Sequence, residues 1–553
     1  MQKFMSRKKK RKTNFIVQGS ILAAAGIIVR LIGLVYRIPL VNILGTTGSG
    51  LYSSAYNIYT ILLLLSSYSL PLAVSKMVAE RVSYGEYKNA HRVFKGALLF
   101  ALGAGTAMAL AAFFGAGFFA RIVLNKPDAS YAIRTLAPTV FVMAFLGVYR
   151  GYYQGLGTMI PTAVSQILEQ IFNAVFSILG AWWLFSYGTK TDLVQNTSNL
   201  APALGAAGGA IGTGAGAFIA LLFCMMIFTM YRRVLKKQMR RDPCRQLESY
   251  PDIAKLIVMI SLPVILSTTV YNISSVLDQS LFGYYTEFAG IEGSYMDIWG
   301  VYSSIYMLMI NVPIAISNAL ASSVIPSLTA AVAKNERSKV LSRTSLSIRF
   351  TMLIAIPSAV GLTVLSGPIV KMLFSVDTGL GAELLLTGSA AVVFFSLSTV
   401  MNAILQGINH MGTPVKNAAI SLAIHMAVLA ACLYGLDMGI YGVVFANMLF
   451  GLGMCLLNGR SIAKYLQYRQ EIKKTFLLPT LASLVMGGAC YGTYTLVYRL
   501  LSHNLTAVLL AILAAVAVYG VLLLLLKCID EIEMYQFPFG RKLVRVAKIL
   551  HLL

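Results

Sequence analysis

Long apolar runs separated by short polar connections recur along the whole chain, near residues 15–44, 50–80, 93–121, 131–157, 159–186, 201–231, 254–285, 296–330, 345–374, 382–409, 414–436, 438–465, 475–500 and 504–528. Each is long enough for a helix rising about 1.5 Å per residue to cross roughly 30 Å of hydrocarbon. The pattern predicts an all-α polytopic membrane protein of about fourteen transmembrane helices. No polar stretch approaches the length of an independent soluble domain, so activity must sit within the membrane or in short loops.

Basic residues set the expected orientation. Arg81, Lys88, Arg92 and Lys95 follow the second run, and seven basic residues lie between Arg232 and Arg245 after the sixth. Lys334, Arg337, Lys339 and Arg343 follow the eighth, and Arg460, Lys464, Arg469, Lys473 and Lys474 the twelfth. The opposite connections are poor in positive charge: residues 285–299 contain Glu287, Glu292 and Asp297 and neither Lys nor Arg. Even-numbered connections are therefore expected to face the cytoplasm, with both termini inside.

Composition agrees, at 58% hydrophobic and 12% charged residues. The net charge of +25 sits in connections that face anionic lipid headgroups, which makes a nucleic-acid partner the poorer explanation. A basic head over 1–14 before an apolar run also describes a signal peptide, but the run over 15–44 is too long and carries Arg30 and Arg37 in its middle. After Cys528, Arg541, Arg545 and Lys548 alternate at helical spacing with Leu543, Val546, Ala547 and Leu550, as in a helix lying in the cytoplasmic interface over 529–553. The six cysteines form no C-x-x-C pair and read as small core residues.

The chain repeats itself. Gly50-Leu51-Tyr52-Ser53-Ser54-Ala55-Tyr56 returns as Gly300-Val301-Tyr302-Ser303-Ser304-Ile305-Tyr306, and Gln154-Gly155 followed by Pro161 returns as Gln406-Gly407 followed by Pro414. Two matches at nearly one offset predict a duplicated six-helix unit, with lobes over 15–231 and 254–465 joined by a basic linker over 232–253. Because six is even, the lobes would share one orientation and enclose a central cavity, the plan of an alternating-access transporter. Two further helices, over 475–528, lie outside the duplication.

Charges inside apolar runs cost several kcal/mol and call for a partner, a cavity or a role. Arg30 and Arg37 are two helical turns apart and share one face, where stacked guanidinium groups would bind phosphate or pyrophosphate; the alternative is that Arg37 snorkels and Arg30 makes an internal ion pair. Glu169 and Asp278 each read either as an arginine's partner or as a site for a coupling Na+ or proton. Gln166, Glu169, Gln170 and Asn173 make a polar stripe that suits a wet cavity wall. Arg150 and Gln154, at the cytoplasmic end of the fourth run, read mainly as interfacial, with a possible role at the inner mouth, and Lys76 is similar. His425 reads as a packing histidine, and the glycines of 205–216 as a close helix contact. No nucleophile with its base, no metal-ligand spacing and no nucleotide fold is present in the sequence, which argues against an enzyme. The short connection over 45–50 also lacks the acidic residues a membrane glycosyltransferase would need.

The segments Arg30-Leu31-Ile32-Gly33-Leu34-Val35-Tyr36-Arg37-Ile38-Pro39, Gly50 to Tyr56, and Arg150-Gly151-Tyr152-Tyr153-Gln154-Gly155 with Pro161 resemble the polysaccharide-transport branch of the multidrug/oligosaccharidyl-lipid/polysaccharide exporter superfamily. Within it the chain is most similar to the stage V sporulation protein B group and lipid II flippases. The resemblance implies a V-shaped pair of six-helix lobes around a cationic cavity, moving an undecaprenyl-pyrophosphate-linked glycan for peptidoglycan or other cell-wall polysaccharide synthesis. It also implies a lipid-tail groove at the two extra helices, and the cell-envelope synthesis machinery as a candidate partner. No cofactor is implied beyond a coupling cation, Na+ or H+, or the membrane potential. Ile38 stands where the family often has an acidic residue, and arginines of the second and eighth helices have no counterpart in 55–75 or 300–325, which leaves the glycan open. The competing expectation is a cation-coupled multidrug exporter of the same superfamily.

Overall fold

The computed structural model describes the backbone of residues 2–195, 199–242, 244, 246–291, 294–376 and 379–528. Side chains are described within these from residue 21 onward, except 23, 263–264, 266–267, 270–271, 322–323, 326–327, 330 and 333. The expected tail helix over 529–553 and the basic side chains of 7–12 lie outside the described residues. Among the described residues the chain is helical, with no strand.

Two compact units divide after Ser304. The first holds α1 (Gln2–Leu63), α2 (Leu70–Ser83), α3 (Tyr87–Phe118), α4 (Ala129–Gly155), α5 (Ile160–Gln195), α6 (Leu200–Arg240), α7 (Tyr250–Phe288) and α8 (Tyr295–Gly300). The second holds α9 (Met307–Ala333), α10 (Arg337–Val364), α11 (Ser366–Leu373), α12 (Gly379–Gly388), α13 (Ala391–Gly407), α14 (Gly412–Ala430), α15 (Ile440–Leu466), α16 (Leu478–Leu501) and α17 (Asn504–Leu525). The repeat counts α7 with the second lobe, yet α7 packs with the first unit. There Gln279, fully buried, donates to Ser54 Oγ and accepts from Asn57 Nδ2 at 3.2 Å.

By length and apolarity eleven helices among the described residues can cross a membrane, or twelve if the pair α12 and α13, bent by 53°, is one span. The difference from fourteen has identifiable sources. The stretch Ala24–Ser83 counts once although its 60 residues would measure about 90 Å as a straight helix. Within α1 it is broken at Gly45, whose φ of 68° and ψ of −172° no ordinary side chain favours, and between α1 and α2 it passes through a wider π turn over Leu64–Tyr68. The loop expected over 45–50 is thus a single non-helical residue. The 39-residue α7, some of whose side chains lie outside the described set, is not counted. The linker is also shorter than expected, because α6 continues to Arg240.

Local structure repeats more faithfully than sequence. In the turn between α2 and α3, Glu86 N donates to Arg81 O at 2.9 Å, Gly85 N to Val82 O at 3.1 Å, and Tyr87 N to Gly85 O at 3.1 Å. Between α9 and α10, 250 positions on, Glu336 N donates to Ala331 O at 3.0 Å, Asn335 N to Val332 O at 2.9 Å, and Arg337 N to Asn335 O at 3.1 Å. Even the side-chain bond recurs: Glu86 accepts from Asn89 at 3.0 Å, and Glu336 from Lys339 at 3.0 Å. The hydrogen bond from Lys339 holds the exposed Glu336 carboxyl below its ordinary range.

Between α4 and α5, Gly157 N and Thr158 N bond to Gln154 O and Tyr153 O at 3.0 and 3.1 Å. Between α13 and α14, Asn409 N and His410 N bond to Gln406 O and Leu405 O at 3.1 and 2.9 Å, an offset of 252. Gly155 seats α4 on Val78 and the Ser75 carbonyl of α2, as Gly407 seats α13 on Leu328 and the Ile325 carbonyl of α9.

Within the first unit the two copies of the motif meet each other. A Cβ on Gly50 would collide with the carbonyl of Met296, and one on Gly300 with that of Thr46. Ser53 and Ser303 share a 2.7 Å hydrogen bond, and Asp297 accepts from the hydroxyls of Thr46 and Thr47 at 2.6 and 2.5 Å. Each member of the pairs 50/300, 53/303 and 47/297 thus touches its own equivalent, as across a local two-fold axis.

The two extra helices, α16 and α17, pack on α10 of the second unit. Leu353, Ala482, Met486, Cys490, Ala511 and Ala515 form the cluster, and Tyr519 Oη donates to Leu353 O at 3.0 Å. Five of the six free cysteines are buried, as small core residues should be. Cys244, in the connection after α6, is partly exposed.

Candidate functional site

The polar wall of the first unit begins on α1. At about 100° per residue, Arg30 and Arg37 lie about 20° apart around the helix. They stand roughly 120° from the middle of an exposed apolar stripe made of Ile27, Ile28, Leu31 and Val35. The stripe is the face suited to lipid, and the arginines flank the opposite, packed side. Arg30 is exposed and Arg37 half-buried. Between them Gly33 lets α5 approach, with Gln170 Nε2 only 3.1 Å from where a Cβ would stand.

Arg37 has the phenols of Tyr36, Tyr52 and Tyr56 as neighbours. Tyr52 and Tyr56 stack at 6.0 Å, and Tyr56 and Tyr59 tilt together at 5.4 Å. Tyr52 Oη faces Thr213 Oγ1 of α6 without ordinary hydrogen-bond geometry, and neither buried hydroxyl finds another partner. A buried hydroxyl left unpaired costs about 1–3 kcal/mol, so this corner beside Arg37 favours a donor or acceptor from outside.

Arg150, read mainly as interfacial, is 8% exposed and packed against its own unit. Its guanidinium donates to Glu169 at 2.6 Å and, through Nε, to Ser165 Oγ at 2.9 Å. The reason is local, since Ser165 and Glu169 stand one turn apart on α5 and present two acceptors to one fork. Glu169 therefore has Arg150 as its arginine.

The stripe on α5 also divides. Gln166, Glu169 and Gln170 are half-buried, whereas Asn173 is buried with its Oδ1 2.9 Å from Ser177 Oγ, a hydroxyl that also lies 2.8 Å from Gly209 O of α6. The glycines of 205–216 make that closeness possible, with Gly212 against Ser177 and Gly216 against the Glu169 carbonyl and Asn173.

Asp278 is 2% exposed on α7, next to Gln279. Gln154 is half-buried at the end of α4, and Lys76 is exposed on α2. In the second unit His425 is fully buried, with Nδ1 2.9 Å from Ala446 O, a packing histidine as expected. Sequence reasoning missed Ser165, Ser177, Tyr52, Tyr56 and Thr213. The one signal for the serines was their helical spacing with Glu169 and Asn173.

A multi-pass helical bundle with arginines and carboxylates lodged in its apolar spans is an architecture that suits a membrane transporter. The family model described as polysaccharide biosynthesis protein matches residues 16–332, more than half of the chain, and the chain belongs to that family.

Lipid II flippase MurJ of Bacillus subtilis is 27% identical over 498 residues, covering 87% of this chain and 88% of that protein. Stage V sporulation protein B of the same organism is 24% identical over 540 residues, covering 97% and 100%. Among solved structures, lipid II flippase MurJ in an inward closed conformation superposes with a TM-score of 0.64 at 17% identity, over 91% of this chain and 97% of that one. An inward-facing multidrug resistance MATE family transporter does so at 0.62 and 18% identity, over 81% and 99%.

Proposed function

We propose that this protein flips a polyprenyl-pyrophosphate-linked glycan, lipid II or a related cell-wall precursor, from the inner to the outer leaflet of a bacterial cytoplasmic membrane by alternating access. The observation that carries the reading is that Arg30 and Arg37 share one face of α1, away from its apolar stripe, with Gly33 between them in sequence set against Gln170 of α5. A pyrophosphate carries charge that hydrocarbon excludes, while a polyprenyl tail stays in the bilayer. Guanidinium groups fixed along the path supply bidentate charge-assisted bonds that replace its water. The flippase relatives support the class, and Asp278 and Glu169 are candidate carriers of a coupling Na+ or proton.

Substituting Arg30→Ala or Arg37→Ala is expected to abolish complementation of a flippase-depleted strain while leaving insertion unchanged. Full growth with both substitutions together would reject the pyrophosphate receptor. A second reading, a cation-coupled multidrug exporter, is favoured by the near-equal superposition on the MATE transporter. It predicts drug sensitivity on deletion with no build-up of lipid-linked precursor at the inner face.

A further inference from the structure

Around the start of α3 the cations of the first unit fall into two groups. One group holds the segment that follows α6. Arg81 donates to both carboxylate oxygens of Glu248 at 2.8 and 2.9 Å, and Lys88 donates through its backbone N to Asp242 at 2.7 Å. Lys88 Nζ donates to the Asp242 and Cys244 carbonyls at 3.0 and 3.2 Å, and Arg92 lies 4.5 Å over the Tyr250 ring. The other group has no such answer: among the described residues Lys95 and Arg232 make neither an ion pair nor a hydrogen bond.

Helix geometry brings these two together. His91 of α3 and Phe228 of α6 stack, with ring centroids 6.4 Å apart and planes 11° apart. The helices run in opposite directions here, since Lys88 reaches Asp242 beyond the end of α6 while Phe94 stacks on Phe228 at 4.9 Å. Lys95 stands four residues after His91 and Arg232 four after Phe228, each turned about 40° around its helix. In an antiparallel pair, those two turns carry both residues to the same side of the contact. Side chains also lean toward the N-terminus of their helix, so Lys95 leans back to the level of His91 and Arg232 to that of Phe228. Both are exposed, and they are the charged neighbours of His91.

The imidazole adds a third donor. His91 Nδ1 is buried with no hydrogen-bond partner, and a proton there would have nothing to bond, so the neutral ring carries its proton on Nε2, which is not buried. Three donors and no acceptor thus meet at one place on the surface.

We propose that His91, Lys95 and Arg232 bind the phosphodiester headgroup of an anionic phospholipid, phosphatidylglycerol in type, from the cytoplasmic leaflet. The surface beside the donors favours a lipid over a soluble anion. From Lys95 the same face of α3 continues through Leu99 and Leu102, and from Arg232 that of α6 runs back through Leu222 and Phe218, each about half exposed. Both rows lead from the cations into the apolar spans, as a headgroup leads into its acyl chains. The basic connections mark this end as cytoplasmic, where anionic lipid is met. The site does not depend on the proposed transport function.

The test titrates delipidated full-length protein in detergent with dioleoylphosphatidylglycerol or dioleoylphosphatidylcholine and counts bound lipid by native mass spectrometry. The wild type should bind one phosphatidylglycerol about 10-fold more tightly than phosphatidylcholine, and Lys95→Gln with Arg232→Gln should remove that preference. His91→Phe, which keeps a ring on Phe228 and deletes the Nε2 donor, should weaken phosphatidylglycerol binding about 3-fold. Lys237→Gln with Arg241→Gln, which removes the same charge toward the end of α6, should leave the preference intact. Without added lipid, the Lys95 and Arg232 double variant should melt at the wild-type temperature, because neither side chain is bonded within the protein. No preference in the wild type would overturn the site, and an equal loss from the Lys237 and Arg241 pair would reduce it to diffuse charge. A double variant that melts lower or fails to fold would assign the two cations to folding and overturn it as well. If glycerol 3-phosphate displaces phosphatidylglycerol at equal concentration, the donors take a free phosphate and the lipid assignment is wrong.

Discussion

In the first unit α4 and α5 are joined by the Arg150–Glu169 ion pair, whereas in the second unit α13 and α14 each bond to Asn458 of α15, through Asn402 and Asn417. Much of the frame is nonetheless the same: the same turn hydrogen bonds, the same glycine seating one helix on another, and a corresponding backbone carbonyl satisfied on α6 and on α15. That carbonyl is Gly209 O, taken by Ser177, in one case and Ala446 O, taken by His425, in the other. The positions agree at an offset of 237, the offset that also relates Gly216 against Glu169 to Gly453 against Ser421. Backbone geometry has been kept and seam chemistry has changed.

The sharpest way to break the comparison is to remove one member from each seam. Arg150→Ala strips Glu169 of its partner in a partly dry place, where breaking a fully buried pair would cost about 3–5 kcal/mol. Because a quarter of Glu169 reaches solvent, about 2 kcal/mol is expected. Asn402→Ala removes one neutral hydrogen bond, for about 1 kcal/mol. Thermal unfolding in detergent would measure both, and an equal or larger loss for Asn402→Ala would show that the charged seam is no more demanding than the neutral one.

The seating glycines come next. A Cβ on Gly155 would stand 2.6 Å from Val78 Cβ and 2.9 Å from the Ser75 carbonyl, whereas one on Gly407 would stand 2.9 Å from Leu328 Cβ and 3.4 Å from the Ile325 carbonyl. Backbone cannot give way as side chains do, so Gly155→Ala should cost about 2 kcal/mol and Gly407→Ala about 1 kcal/mol. Loss of folded protein in the reverse order would mean that the two crossings are not equivalent.

Much of this was legible in the sequence. Apolar runs of membrane length, and the repeated Gly-x-Tyr-Ser-Ser-x-Tyr and Gln-Gly segments, carried the helical bundle and its duplication, because period and spacing survive without any tertiary information. The arginines of α1 stood out for the same reason that they cost energy: lipid leaves them no neutral explanation. Two things could not be read. The partner of Arg150 lies on the next helix, and which face of α4 meets α5 depends on packing that a linear pattern does not contain. The kink at Gly45 was hidden because Thr46, Thr47 and Ser49 look like loop residues, yet they are helical and two of them bond to Asp297.

The extent of the repeat was also understated, because its turns use different residues for one conformation. Gly85 and Asn335 occupy the left-handed region with φ of 82° and 53°, as do Gly157 and Asn409 with 85° and 66°. Glycine reaches this region at no steric cost, and asparagine reaches it more readily than other side chains because its short polar group bonds locally. The first unit has taken glycine at both turns and the second asparagine at both. If conformation alone is selected there, the exchange of Gly85→Asn with Asn335→Gly should leave the melting temperature almost unchanged, a net shift within about 0.5 kcal/mol. Gly85→Val, which puts a branched Cβ in the same conformation, should cost about 1–2 kcal/mol. A large loss from Asn335→Gly would show that the asparagine side chain adds a bond of its own, and the two turns would then be alike in backbone without being interchangeable.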